Sequence, residues 1–178
     1  MGHYDQLDYS ITVAVLVSAN AQDSGQNTLC TGIRSTIRNE GITADEIDVQ
    51  LQTMDTANAF AVEESIRDLF TNYEAPDVII CLSELTTTCV YQAVVDFNKV
   101  GDVEILGYYD SEIIRKGIRR GVIEATFAVD TTRMGRYAIE ALEEYSLRGY
   151  TSQYFATEVT LINKENLDAY EEGQLNGK

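Results

Sequence analysis

The chain has 178 residues, 44% hydrophobic and 24% charged, with 29 acids against 13 bases and a formal net charge of −16. That length suits one domain with a real core, and the composition is ordinary for a soluble globular fold. So acidic a surface repels phosphate backbones, which excludes nucleic acid as the expected partner, and no run approaches the roughly 18 apolar residues of a membrane-spanning helix.

Residues 1–10 read as a polar lead-in with no signal-peptide pattern. Ile11 to Ser18 (ITVAVLVS) is apolar nearly throughout, as a strand buried on both faces should be. A polar loop from Ala19 to Gln26 carries Asn20 and Asp23. A helix follows to about Glu40, with Leu29, Ile33 and Ile37 at helical spacing and Gly41 as its stop. Asp48 to Met54 alternates and predicts a strand nearer a sheet edge. The next helix, Thr56 to Tyr73, aligns Val62, Ile66, Leu69 and Phe70, and Pro76 breaks the chain after it. Val78 to Leu82 predicts a central strand. Glu84 to Asn98 predicts a helix whose Thr86-Thr87-Thr88 run is a poor helix start by propensity.

From Val103 the pattern sharpens. A strand ends in Gly107-Tyr108-Tyr109-Asp110. A short helix carries Ile114 and Ile118 and stops at Gly121, where a left-handed residue is usually needed. A strand from Ile123 to Val129 follows, and then a helix from Thr131 to about Leu147 with an apolar stripe of Met134, Tyr137, Ala138, Ala141, Leu142 and Tyr145. Phe155 to Ile162 predicts the last strand, residues 167–178 read as a tail, and 171–178 read as disordered. Alternating strands and helices predict an α/β fold: a doubly wound, mostly parallel, Rossmann-like sheet with helices on both faces. Ligands in such sheets bind beyond the carboxyl ends of the strands. That puts four places in play: Asn20 to Ser24, Ser83-Glu84, Tyr109-Asp110 and Val129-Asp130.

Several chemistries lack their residues. Neither G-x-G-x-x-G nor G-x-x-x-x-G-K-[ST] occurs, so neither phosphate cradle is present. There is no G-x-S-x-G, and the one histidine is His3 in the lead-in. A phosphorylated receiver domain would need an aspartate ending the third strand, where Cys81-Leu82-Ser83-Glu84 stands, and a lysine ending the fifth, which is missing. Cys30, Cys81 and Cys89 cannot all pair internally and read as small buried apolar residues. No metal site, cofactor or enzymatic activity is expected. Tyr109 reads as a side chain able to stack on a ligand ring. Asp110 either binds a ligand hydroxyl or caps the next helix, and Ser83 is open to the same two readings beside Glu84.

Taken together, these segments resemble the type I periplasmic binding proteins, the ribose-binding-like receptors of sugar transporters. The resemblance rests on Ala75-Pro76-Asp77-Val78-Ile79-Ile80, on Gly107-Tyr108-Tyr109-Asp110, on Ile118-Arg119-Arg120-Gly121-Val122-Ile123-Glu124-Ala125-Thr126 and on Met134-Gly135. It runs from about Ile11 to Asn166 and covers the second lobe only, with 131–162 as the helix and strand that cross to and from the other lobe. It implies a solute-binding protein or receptor, exported or surface-tethered, serving a membrane transporter or sensor. It also implies a small sugar-like or other polar ligand, for which the strand-end residues Asn20, Asp23, Ser83, Glu84, Tyr109 and Asp110 are the candidates. Four of that family's sugar anchors are replaced, at Leu29, Ser83, Tyr109 and Val129, so common monosaccharides are expected not to bind measurably. Two other readings share the fold: the effector domain of a transcription regulator, and an interaction module that has lost its ligand. The apolar stripe of the 131–147 helix predicts burial, either folded back on its own sheet or against a second copy as a homodimer.

Overall fold

The computed structural model describes residues 10–19, 24–43, 46–71 and 75–176; the side chains of residue 24 and of residues 174–176 are not part of that description. The elements run β1 (Ile11–Ser18), α1 (Ser24–Asn39), β2 (Ile47–Met54), α2 (Ala59–Thr71), β3 (Val78–Cys81), α3 (Glu84–Asp96), β4 (Glu104–Tyr108), α4 (Glu112–Arg119), β5 (Ala125–Val129), α5 (Thr131–Arg148), β6 (Val159–Asn163) and α6 (Leu167–Asn176). The strands form one sheet in the order β2-β1-β3-β4-β5-β6. The first five are parallel, and β6 pairs antiparallel with β5, Phe127 opposite Leu161 and Val129 opposite Val159. This is the doubly wound, mostly parallel α/β sheet that the alternation of strands and helices predicts.

The main core lies on one face of the sheet. There Ile79 and Ile105, paired across β3 and β4, meet Val62 and Ile66 of α2, Val90 and Val94 of α3, and Ile114 and Ile118 of α4. Each of these side chains is fully buried. Phe70 and Phe97 stack with ring centroids 5.5 Å apart and join the ends of α2 and α3. On the other face α1 covers Val13 and Val15 with Cys30, Ile33 and neighbouring residues. Its cover stops short of β5 and β6, where Phe127, Leu161 and Val159 remain exposed.

The threonine run that is weak by propensity is explained by tertiary bonding. Thr87 is buried; its Oγ1 donates to the Ser83 carbonyl at 2.7 Å and accepts from the Tyr108 backbone N–H at 3.0 Å. The helix start is thereby stitched to the end of β4. Gly107 is required beside this stitch, because a Cβ there would meet Thr87 Cγ2 at 2.7 Å and Thr126 Oγ1 at 3.1 Å. Cys30 and Cys81 are buried and Cys89 is half-buried, all as free thiols, and burial pushes the Cys81 thiol up to about 12.

Three expectations need correction. Residues 167–176 are not a tail: they form α6, seated by Leu167, which is 1% exposed. Mutual hydrogen bonds between Asn163 and Asn166 turn the chain from β6 into that helix. The last strand begins at Val159, four residues after Phe155, because Phe155 turns aside to lie against Tyr137, with centroids 5.4 Å apart. Finally, α5 buries none of its residues within the chain. It does not fold back on its own sheet.

Candidate functional site

The carboxyl ends of β4 and β5 and the start of α5 enclose a cavity of about 180 Å³. Tyr109 and Asp110 line it together with Tyr170, whose hydroxyl reaches Asp110, and Val129 to Thr132, Glu158 and Thr160 complete the lining. Local sequence builds each wall. Tyr109 leaves β4 with φ of 85°, a conformation rare for a residue with a side chain. Its N–H donates to the Phe127 carbonyl at 2.9 Å, and its own carbonyl accepts from Thr126 Oγ1 at 2.8 Å. The neighbouring strand thus holds the strained residue on both sides, and its ring also rests against the core.

Asp110 is not the helix cap. Ser111 takes the capping position of α4 without making a side-chain cap bond, and its hydroxyl is buried with no partner among the described residues. Asp110 Oδ1 instead accepts from Arg115 Nη1 at 2.6 Å, and Oδ2 accepts from the Tyr170 hydroxyl at 2.8 Å. Arg115 also reaches Glu171 at 3.1 Å, and Arg119 pairs with the same Glu171. Helix α6 is therefore clamped onto α4, and through Tyr170 it fixes the carboxylate at the cavity wall.

The rest of the lining holds a second charged unit. Asp130 caps α5, accepting from the Arg133 N–H at 2.8 Å. Arg133 Nη1 lies 2.9 Å from Glu158 Oε1, and that hydrogen bond raises the guanidinium still further above its ordinary value. Three carboxylates, those of Asp110, Asp130 and Glu158, thus line a space fringed by the hydroxyls of Thr131, Thr132 and Thr160, while Arg115 and Arg133 pair with them from outside the lining. Such a lining offers hydrogen-bond acceptors and donors to a small polar molecule. No cluster of histidine, cysteine or acidic residues with metal-binding geometry occurs among the described residues.

The site residues expected from the sequence separate into groups. Tyr109 and Asp110 sit together in the cavity. Ser83 lies outside its lining: it caps α3, accepting from the Thr86 N–H at 3.2 Å. Glu84 is exposed in the first turn of that helix and also lies outside the lining. Asn20 and Asp23 lie outside the described residues. Glu158, Thr160 and Tyr170 were missed by sequence reasoning. Glu158 immediately precedes β6 and Thr160 lies within that weakly patterned strand, and Tyr170 sits in a segment too acidic to suggest a packed helix. A larger concavity, about 420 Å³, lies at the amino ends of β1 and β3 beside Thr12 and Asp77. It is on the wrong edge for ligand binding in an open parallel sheet, so the smaller cavity is the stronger candidate.

Solved structures share this arrangement of strands and helices. A glucose-galactose binding protein, GanP from Geobacillus stearothermophilus, matches with a TM-score of 0.76 at 19% identity, over 89% of this chain and 55% of its own. A periplasmic ribose ABC transporter protein from Conexibacter woesei matches with a TM-score of 0.73 at 18% identity, over 94% of this chain and 55% of its own. This is the fold of one lobe of a periplasmic sugar-binding protein. The XylFII molecule, also solved in a complex with LytSN, matches with a TM-score of 0.72 at 22% identity, over 89% of this chain and 55% of its own. The chain thus spans about half the length of each of these neighbours. No protein-family model matches the sequence, and no curated protein sequence matches it.

Proposed function

We propose that the chain is the ligand-binding lobe of a solute-binding protein or receptor, working outside the cell membrane with a transporter or a sensor protein. The ligand is a small polar solute other than a common monosaccharide. The observation that carries this reading is the cavity at the β4–β5 carboxyl edge, where Tyr109 is held at φ of 85° beside Asp110 and the threonine hydroxyls. Backbone strain that neighbouring bonds maintain is characteristic of ligand sites, and the fold is one whose solved examples include sugar-binding proteins. Val129 lines the cavity and, like Leu29, replaces a polar anchor of the resembling sugar-binding family, which argues against simple sugars.

Titration of the isotope-labelled chain with sugars, polyols and amino-polyols, followed by amide NMR, tests the reading. Monosaccharides should bind more weakly than about 1 mM, about −4 kcal/mol. A polyol or amino-polyol should shift the amides of Tyr109, Thr131 and Thr160, and Tyr109→Ala should remove that response. If no panel member perturbs this edge, the solute-binding reading fails. The interaction-module reading then gains, supported by the fact that both Asp110 oxygens are already bonded within the chain.

A further inference from the structure

We propose that the cavity at the β4–β5 edge selects a cationic solute, a small polyhydroxylated amine, over the neutral polyol and the acid of the same skeleton. The inference deepens the solute-binding reading and rests on it. Its basis is the sign of the charge that a solute meets. Asp110, Asp130 and Glu158 line the cavity, and among the described residues no lysine or arginine does.

Pairing within the chain reduces that charge without removing it. Arg133 serves both Asp130, at 3.6 Å, and Glu158, at 2.9 Å. Arg115 is divided between Asp110, at 2.6 Å, and Glu171, at 3.1 Å. Arg119 pairs with Glu171 and reaches Asp168 at 4.0 Å. Five carboxylates therefore share three guanidiniums, and the remaining donor on Asp110, the Tyr170 hydroxyl, is neutral. None of the three guanidiniums enters the lining, so an incoming solute meets the acidic side of each pair. The opposing influence is the amino end of α5, whose free N–H groups favour an anion. Asp130 already occupies that end, accepting from the Arg133 N–H, and an anion placed there would lie against its carboxylate.

The rest of the lining favours an organic amine. Tyr109 and Tyr170 belong to it, and an aromatic ring attracts a cation held over its face. The hydroxyls of Thr131, Thr132 and Thr160 offer partners to the hydroxyls of a solute. A bare metal ion fits less well, because the acids are not grouped with metal-binding geometry among the described residues. Acids outnumber bases 29 to 13 over the whole chain, which steers solutes of the same sign towards the surface.

Glucamine, glucitol and gluconate test the inference, because they share one carbon skeleton and are cationic, neutral and anionic in turn. Amide NMR titrations at physiological ionic strength screen the charge of distant surface groups. Glucamine should shift the amides of Tyr109, Thr131 and Thr160 with an affinity about tenfold or more above that of glucitol, and gluconate should leave them unmoved. Glu158→Gln and Asp130→Asn keep the size of each side chain. Each should weaken glucamine about two- to fivefold and leave the response to glucitol unchanged. Glu104→Gln, at an exposed position at the opposite end of β4, should change neither. Glucitol binding as tightly as glucamine, or gluconate binding at this edge, overturns the charge selection and leaves the solute-binding reading standing. Equal weakening of both probes by Glu158→Gln and Asp130→Asn would make those residues structural and overturns it as well. Absence of any shift with glucamine also overturns it; only if every sugar and polyol fails too does the solute-binding reading fall with it.

Discussion

Helices α2 and α5 carry equally regular apolar stripes, yet α2 fully buries Val62, Ile66 and Leu69 while α5 fully buries no residue within the chain. The difference is what the sheet offers them. α2 connects β2 to β3 and lands on a face already lined by Leu16, Met54 and Ile79. α5 follows β5 and is linked to β6 through the irregular 150–157 segment, beyond the edge of that core. An apolar stripe therefore states that a helix needs a partner, and only topology decides whether the chain supplies it.

The widest gap between the two regions should appear in truncations. Ile105 is fully buried at the centre of β4, so Ile105→Ala should cost about 2–5 kcal/mol, from lost transfer energy and the cavity left behind. Urea unfolding followed by fluorescence or circular dichroism measures it. A loss below about 1 kcal/mol would mean that the main core is looser than its burial implies.

Thr87→Val comes next. It keeps the shape of the side chain but leaves the Tyr108 N–H without its acceptor, and a buried unmade hydrogen bond costs about 1–3 kcal/mol. Amide exchange should accelerate first at Tyr108, at the threshold of the cavity. Tyr170→Phe should cost about 1 kcal/mol and loosen α6 selectively, because it removes one of the two bonds on Asp110. Exchange confined to residues 167–173 is the expected signature; unchanged α6 protection would show that Leu167 alone seats the helix.

How far the sequence revealed this architecture follows the same division. The parallel sheet was legible because β1 and β3 are apolar runs bounded by turn residues and α2 has a clean helical period. Tyr109 and Asp110 were legible as strand-end residues beyond a glycine. The rest of the lining was not. Glu158, Thr160 and Tyr170 come from the segment after α5, where periodicity is weak and the residues are polar. Their position depends on β6 pairing antiparallel with β5 and on the Asn163–Asn166 turn into α6. Long-range pairing of that kind leaves no local period to read. The role of Asp110 was missed for a related reason: Arg115 is only five residues away, but Tyr170 is 60 residues away along the chain.

A smaller effect concerns acid. Asp77 ties the start of β3 to β1 by accepting from the Thr12 N–H at 2.7 Å and its hydroxyl at 2.8 Å. The backbone bond first, then the side-chain bond, holds its carboxyl below the ordinary 3.8. A lowered folded value stabilises above the unfolded value and is lost as pH falls through the folded one. The contribution is therefore complete above about pH 4 to 5 and fades below it. Asp77 is exposed, so screening limits the effect to about 0.5 kcal/mol. Asp77→Asn should flatten that part of the acid limb of stability against pH and leave the neutral limb parallel to that of the parent chain. An unchanged acid limb would remove Asp77 from the account.

The smallest expected change is the sharpest test of the contrast between the helices. Leu142→Ala removes as many carbons as a core truncation would, from a stripe as regular as that of α2. Its side chain is 66% exposed, so most of its apolar surface is already in water in the single chain and little transfer energy remains to be lost. Alanine also has the higher helix propensity at an exposed position, which offsets part of that loss. In dilute solution, the net change should lie within about 0.5 kcal/mol of zero. The same truncation made at Ile66 of α2, fully buried, should cost several times more. If Leu142→Ala destabilised the dilute chain by more than about 1 kcal/mol, α5 would have to be packed against its own fold, and the contrast between the two helices would collapse.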